Sequence, residues 1–134
     1  MHTITVYPER NPSLEEIKGF VRSFPDGEWV TASRGVIESD DGRVYLDYDE
    51  RYREYFDKYL DEQQRAELTA RLGFSPWLAL HVHVSNAYQH SRELARAVCE
   101  ALVKQWGGGW SDGANPAFKA PDGERRELWG GKGE

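Results

Sequence analysis

The fold is decided by the stretch Trp29–Tyr48, which reads WVTASRGVIESDDGRVYLDY. Its two halves, Trp29 to Glu38 and Arg43 to Tyr48, are rich in valine, isoleucine, threonine and tyrosine, the residues that strands favour. Between them stand Ser39, Asp40, Asp41 and Gly42, and an Asp-Gly pair between two such runs is a strong turn signal. The stretch therefore predicts a β-hairpin.

Before this hairpin, the chain begins with a strand and a helix. Residues His2 to Tyr7 alternate with period two and include β-branched residues, which predicts a strand. Ser13 precedes an apolar face at helical spacing and is followed three residues later by Glu16, the pattern of a capping box. We therefore expect a helix over about residues 14–23, ended by a turn at Pro25, Asp26 and Gly27.

After the hairpin, aromatic residues recur at helical intervals: Tyr48, Tyr52, Tyr55, Phe56 and Tyr59. This spacing predicts a helix that begins near Asp49. The later elements predicted by periodicity and breaker residues are a helix Gln63–Leu72 stopped by Gly73, an inner strand Trp77–Val84, a helix Ser91–Trp106 stopped by Gly107–Gly109, and a short hairpin around Pro121–Gly123.

The order of these elements is strand, helix, strand, strand, helix, strand, helix. It predicts an α+β fold, a ferredoxin-like split βαβ sandwich with an antiparallel sheet and helices on one face. A length of 134 residues suits one such domain, which we assign to residues 1–129, followed by a flexible glycine-rich tail at 130–134. This fold hosts many unrelated functions, so it does not decide this one.

The net charge of −6 is confined to residues 38–62, called here the acidic segment. It contains four basic residues against ten acidic ones, and ten minus four equals the charge of the whole chain. The acids are Glu38, Asp40, Asp41, Asp47, Asp49, Glu50, Glu54, Asp57, Asp61 and Glu62. A patch of this sign repels nucleic acid and membrane phosphates and attracts basic proteins. We therefore expect a protein partner, with no direct contact to nucleic acid or membrane.

The acidic segment also holds five of the seven tyrosines of the chain. Tyrosine ringed by carboxylates is typical of a protein-binding hot spot, because a domain core prefers leucine and isoleucine. The partner-binding residues predicted on this basis are Asp47, Tyr48, Asp49, Glu50, Tyr52, Glu54, Tyr55 and Asp57. The alternative is that the tyrosines pack on the protein's own sheet and the acids form its solvated side.

His81 and His83 give the alternative function, a small enzyme or a metal- or ligand-binding domain. Side chains two apart on a strand project from the same face, at a spacing that can hold one metal ion. A third ligand would come from His90, Asp47 or Asp49. The competing interpretation is two half-buried histidines with ordinary hydrogen bonds, and we assign no metal and no cofactor.

Nucleophilic catalysis has no motif in this chain. Cys99 falls within the helix Ser91–Trp106, on what its neighbours indicate is the packed side, and no Gly-x-Ser-x-Gly elbow occurs. We therefore name no catalytic residue and expect a protein that is not an enzyme.

The helix that ends at Trp106 runs directly into Gly107, Gly108, Gly109, Trp110, Ser111 and Asp112. With the small size and acidic charge, residues 77–112 resemble the small cytoplasmic immunity proteins encoded beside polymorphic bacterial toxins. The resemblance implies an inhibitor that binds and blocks a cognate toxin, for example a nuclease. The absence of a secretory pattern in Met1–Tyr7 agrees with a cytoplasmic location. A further alternative is a regulatory ferredoxin-like module that binds a small ligand and dimerises through its sheet.

Overall fold

The computed structural model describes residues 2–39, 41–48, 61–75, 78–86, 88–112, 117–119 and 125–127. Within these ranges the chain forms eight strands and three helices. In chain order they are β1 (His2–Tyr7), α1 (Leu14–Arg22), β2 (Asp26–Trp29), β3 (Arg34–Ser39), β4 (Gly42–Asp47), α2 (Glu62–Leu72), β5 (Leu80–Val84), α3 (Ser91–Trp106), β6 (Gly109–Asp112), β7 (Ala117–Lys119) and β8 (Arg125–Glu127).

The strands form one sheet in the order β2-β3-β4-β5-β1-β6-β7-β8, and every neighbouring pair is antiparallel. Alternating directions make β1 parallel to β4, with β5 between them, and β5 parallel to β6, with β1 between them. The predicted α+β class with an antiparallel sheet is confirmed, as is the inner position of β5.

Helix α1 begins where the capping box predicted. The Glu16 N–H donates to Ser13 Oγ at 3.1 Å, and the Ser13 N–H donates to Glu16 Oε1 at 2.9 Å, so two of the donors at the helix start are satisfied. Its buried residues are Ile17, Phe20 and Val21. The apolar spacing read from the sequence therefore gives the face that packs on the sheet.

Helix α3 has the predicted bounds and packs on the same face of the sheet as α1. Trp106, at its end, meets Phe20 of α1 edge to face, with ring centroids 5.6 Å apart. The last carbonyls are bonded from the segment after β1: the Arg10 N–H donates to the Trp106 carbonyl at 2.9 Å, and the Arg10 guanidinium donates to the Gln105 carbonyl. These two hydrogen bonds hold the segment after β1 against the end of α3.

The core lies between the two helices and one face of the central strands. The largest strand contributions are fully or almost fully buried, namely Ile4, Val6, Ile37, Val44, Leu46, Leu80, Val82 and Val84. The helices contribute Ala95, Val98, Cys99, Leu102 and Val103 from α3 as well as the α1 residues named above. Trp110 of β6 also packs into this core at 8% exposure.

The structure corrects the first strand of the predicted hairpin. The run Trp29 to Glu38 forms the end of β2 and most of β3, separated by a turn in which the Val30 N–H donates to the Arg34 carbonyl at 2.9 Å. The predicted turn at Asp26 and Gly27 lies inside β2. A Cβ atom on Gly27 would lie 1.7 Å from the Val21 carbonyl oxygen, so this glycine allows β2 to start against the end of α1.

The remaining elements follow the predictions with small changes. Helix α2 starts one residue earlier than predicted, and Gly73 follows it with a φ of +84°. Strand β5 starts at Leu80, three residues after the predicted start, and β6 was not predicted. Strands β7 and β8 pair as the predicted hairpin. The predicted helix near Asp49 lies outside the described residues, as do the hairpin tip Pro121–Gly123 and the tail at 130–134.

Candidate functional site

The face of the sheet opposite the core carries polar side chains along four adjacent strands. Because neighbouring residues on paired strands share a face, the strand register places them together. The directly opposed pairs are Arg34 and Asp47, Asp47 and His81, Tyr45 and His83, Thr3 and His83, and Thr5 and His81. We call Thr3, Arg34, Asp47, His81 and His83 the sheet-face cluster.

Asp47 is the centre of the sheet-face cluster. The Arg34 guanidinium donates to both of its oxygens, from Nε to Oδ1 at 2.6 Å and from Nη2 to Oδ2 at 2.9 Å. The Asp47 side chain is only 13% exposed, so this two-bond pair is shielded from solvent more than an ordinary surface ion pair. Arg34 also lies over the Tyr45 ring, 5.2 Å from its centroid, within the range of a cation–π contact.

His83 connects Asp47 to the first strand. Its Nε2 atom lies 2.8 Å from Asp47 Oδ2, and its Nδ1 atom lies 2.8 Å from Thr3 Oγ1. A carboxylate only accepts hydrogen bonds, so Nε2 carries the proton that is donated to Asp47. In the neutral ring the Thr3 hydroxyl therefore donates to Nδ1, and in the charged ring it accepts from Nδ1. Both protonation states of His83 keep both bonds.

The electrostatics of the cluster favour an ionised Asp47 and a neutral His81. Burial on its own works to raise the pKa of Asp47, but the hydrogen bonds from Arg34 and His83 outweigh it and hold that pKa far below its ordinary value. His81 stacks on His83 with ring centroids 6.2 Å apart and planes 13° from parallel. Burial, followed by the neighbouring His83, lowers the pKa of His81.

A metal ion does not fit the two histidines as they stand. Metal binding needs a free nitrogen lone pair, whereas His83 uses Nε2 to donate to Asp47 and Nδ1 to bond Thr3. Both oxygens of Asp47 already accept from Arg34. Of the other suggested ligands, His90 lies at the start of α3 with its Nδ1 3.4 Å from Glu93, and Asp49 lies outside the described residues. Within the part of the chain that the structure describes, no group of three His, Cys, Asp or Glu side chains is arranged to hold a metal.

Thr3, His83 and Asp47 have the connectivity of a hydroxyl, an imidazole and a carboxylate in series. In a catalytic triad the carboxylate stabilises the imidazolium that forms when the base takes a proton. Here the Arg34 guanidinium occupies both carboxylate oxygens and offsets that charge. The other candidate nucleophile, Cys99, is fully buried in α3. The hydrogen bonds of the sheet-face cluster join four strands: Arg34 on β3 to Asp47 on β4, Asp47 to His83 on β5, and His83 to Thr3 on β1.

Two of the eight predicted partner-binding residues lie in the described part of the chain. Asp47 is held in the sheet-face cluster, and Tyr48 is 2% exposed, with its hydroxyl donating to the Pro12 carbonyl at 3.1 Å. Tyr48 thus follows the alternative in which a tyrosine of the acidic segment packs on the protein's own core. The other six lie outside the described residues, and their roles stay predictions: Asp49, Glu50, Tyr52, Glu54, Tyr55 and Asp57.

Arg34 and Thr3 are the cluster residues that the sequence reading did not identify. Arg34 had an available signal: the two-residue connection between Ser39 and Gly42 fixes a register that sets Arg34 opposite Asp47. Thr3 had none, because its pairing with His83 joins strands 80 residues apart.

Comparison of the chain with protein-family models, with curated proteins and with solved structures finds no match. None of the helices among the described residues has the length and the apolar character needed to cross a membrane.

Proposed function

We propose that this chain is a non-enzymatic, cytoplasmic inhibitor that binds a basic partner protein through its acidic segment. The partner that fits best is a toxin, for example a nuclease, for which the chain acts as the immunity protein. The observation that carries the proposal is the concentration of the whole net charge of −6 in residues 38–62, while the other 109 residues sum to zero. Such a local field speeds association with a basic surface and favours its active site when that site binds phosphates.

The described residues of the acidic segment narrow the proposed contact surface. Asp47 is neutralised inside the sheet by Arg34, and Tyr48 is in the core, so neither is available to a partner. Asp41, Asp61 and Glu62 are exposed to solvent. We therefore assign the contact surface to the acidic segment without Asp47 and Tyr48, and we keep the proposed steering by Asp49, Glu50, Glu54 and Asp57 and the proposed anchoring by Tyr52 and Tyr55.

We further propose that the scaffold is a ferredoxin-like split βαβ sandwich with additions. Its four strands would be β6, β1, β5 and β4, whose order and directions match two interleaved βαβ units. In this interpretation β2 and β3 are an insertion between α1 and β4 that extends one edge of the sheet. The region from the end of β4 to β5, which contains most of the acidic segment, is a second insertion on this scaffold.

The experiment that tests the proposed function is a charge reversal followed by association kinetics. The variant is the triple substitution Asp49→Lys, Glu50→Lys and Glu54→Lys, and the ligand is the protein encoded by the adjacent gene, which the proposal requires to be a toxin. We expect the association rate at low ionic strength to fall by about tenfold or more, and the difference from the wild type to shrink as salt screens the charges.

The matched control changes the net charge by the same amount at other exposed sites. Glu15, Glu93 and Glu100 lie on the helices α1 and α3. Reversing these three to lysine should leave the association rate within about twofold of the wild type, since their charges lie outside the acidic segment. Equal slowing by both triple variants would assign the effect to net charge and contradict a localised contact surface.

A further inference from the structure

In the described part of the chain, strand β2 forms one edge of the sheet, and one side of its backbone faces away from β3. Val30 follows Trp29, the last residue of β2 with a partner on β3, and the Val30 N–H donates to the Arg34 carbonyl at 2.9 Å. Antiparallel pairs alternate between bonded and non-bonded, so Glu28 and Asp26 also direct their backbone groups toward β3, whereas Trp29 and Gly27 direct theirs away.

Trp29 is the main open position of this edge. The Gly27 N–H is used by a turn bond to the Phe24 carbonyl at 3.0 Å, which leaves the Gly27 carbonyl and both backbone groups of Trp29 facing outward. Among the described residues no strand lies beyond β2, and no backbone group bonds these three. An edge of this kind is a template for one more strand.

The side chains along β2 define the chemistry of the strand that fits. Asp26 and Glu28 share the polar face of the sheet, and both are exposed. Asp26 lies directly opposite Glu38, which already accepts two hydrogen bonds from the Arg43 guanidinium, at 2.8 and 2.6 Å. Directly opposed carboxylates repel each other, so Asp26 favours a basic neighbour on its open side, and Glu28, opposite Val36, has no basic residue directly across from it on β3.

Val30 adds an apolar contact at the end of the same row. It follows Asp26 and Glu28 at the two-residue spacing of a strand face, and it is 47% exposed, the large hydrophobic side chain that stands out among the described residues. Along the open edge, the exposed side chains are therefore two acids, Asp26 and Glu28, followed by the apolar Val30. A strand that presents lysine or arginine at alternate positions would place its charges against Asp26 and Glu28.

We propose that the edge of β2 is a docking site for an extended basic segment of the partner, which adds to the sheet as a further strand. This inference rests on the proposed function for the existence of a basic partner, and it specifies how that partner is held. Backbone hydrogen bonds to Trp29 and Gly27 supply the pairing, and the charges of Asp26 and Glu28 select a basic sequence. Glu38, the first residue of the acidic segment, makes the two surfaces adjacent.

The test uses a synthetic peptide of alternating lysine and threonine, eight residues long, titrated into the full chain and followed by backbone NMR. We expect the Trp29 amide to shift and its hydrogen exchange to slow as the peptide binds. Two further peptides of the same sequence carry N-methyl groups, one on every lysine amide and one on every threonine amide. Alternate residues of an added strand direct their N–H groups toward β2, so only the lysine amides or only the threonine amides pair with it. N-methylation of that set should abolish binding, and N-methylation of the other set should not.

Charge selection is tested by Glu28→Lys, with Glu100→Lys on the exposed side of α3 as the control of equal charge change. We expect the first variant to weaken peptide binding about tenfold and the second to change it less than about twofold. The proposal is overturned if the unmodified peptide does not bind, if both methylated peptides bind as tightly as the unmodified one, or if the two variants bind it equally. None of these results decides whether the chain inhibits a toxin, which is measured separately.

Discussion

His83 Nε2 lies 2.8 Å from Asp47 Oδ2. Arg34 donates to both oxygens of the same carboxylate. One carboxylate therefore connects β3, β4 and β5, and the second ring nitrogen of His83 extends the connection to Thr3 on β1. The polar face of this sheet is held together by a chain of side-chain bonds, while the opposite face is held by the apolar core.

Asp47→Asn should lower the free energy of unfolding by about 2 kcal/mol, because the guanidinium of Arg34 and the N–H of His83 lose an anionic acceptor in a shielded position. Urea unfolding at pH 7 measures the change. Glu93→Gln is the control, since its pair with His90 is exposed and should be worth less than about 0.5 kcal/mol. Equal effects of the two substitutions would show that the cluster adds no more than a surface ion pair.

Asp47 should also make the chain sensitive to acid. Its pKa is lowered in the folded state, so its contribution is fully present above the unfolded value of about 4 and is lost as the pH falls from there toward the folded pKa. We expect the wild type to lose more free energy of unfolding between pH 5 and pH 2 than Asp47→Asn does. Parallel pH profiles of the two proteins would contradict this assignment.

His81 should give a second, separate dependence near neutrality. Its pKa is lowered by burial and by His83, so the folded state favours the neutral ring, and stability is complete above the unfolded pKa of about 6.5. As the pH falls below that value, the unfolded chain takes up the proton more readily and stability declines. His81→Gln should remove this decline between pH 7.5 and pH 5.5, whereas His90→Gln, at an exposed position, should retain it.

Tyr48 tests the assignment of this tyrosine to the core. Tyr48→Phe removes the hydroxyl that donates to Pro12 and should cost about 1 kcal/mol. Tyr48→Ala leaves a cavity as well and should cost about 3 to 5 kcal/mol in the free energy of unfolding. A surface tyrosine would tolerate both substitutions with changes below about 0.5 kcal/mol, so denaturant titration separates the two placements.

Gly108 precedes β6 and lies against the end of β1, and Gly73 serves as its control in a test of that close packing. Both have a positive φ, of +97° and +84°. A Cβ atom on Gly108 would lie 1.9 Å from the Tyr7 carbonyl oxygen, whereas one on Gly73 has nothing within 4 Å. Gly73→Ala should therefore cost only the backbone strain of about 1 to 2 kcal/mol, and Gly108→Ala should cost more because the backbone must also shift. Thermal unfolding compares them, and equal losses would rule out the close approach.

Local signals predicted the elements whose causes are local. The capping box at Ser13 and Glu16, the apolar spacing of Ser91–Trp106 and the alternation of His2–Tyr7 each act within a few residues, and each element forms at its predicted start. The start of β2 at Asp26 was missed because it depends on Gly27 fitting against the Val21 carbonyl, a contact that sequence spacing does not reveal.

The sheet-face cluster was only partly predictable for the same reason. His81 and His83 were identified because they share one strand, and the register of the Ser39–Gly42 hairpin would have added Arg34 opposite Asp47. The bond from His83 to Thr3 depends on β1 entering the sheet beside β5, a non-local choice set by the packing of the whole sheet. His83, one of the two histidines considered as metal ligands, is therefore engaged in structural hydrogen bonds that only the three-dimensional arrangement shows.

The most direct test of the central claim is a titration of the purified chain against the activity of the protein that the adjacent gene encodes, which the proposal requires to be a toxin. We expect activity to fall in proportion to the added chain and to be abolished at one chain per toxin molecule. We also expect the triple reversal of Asp49, Glu50 and Glu54 to lysine to shift the inhibition curve to higher concentrations. Full toxin activity in the presence of a large excess of the wild-type chain would contradict the account.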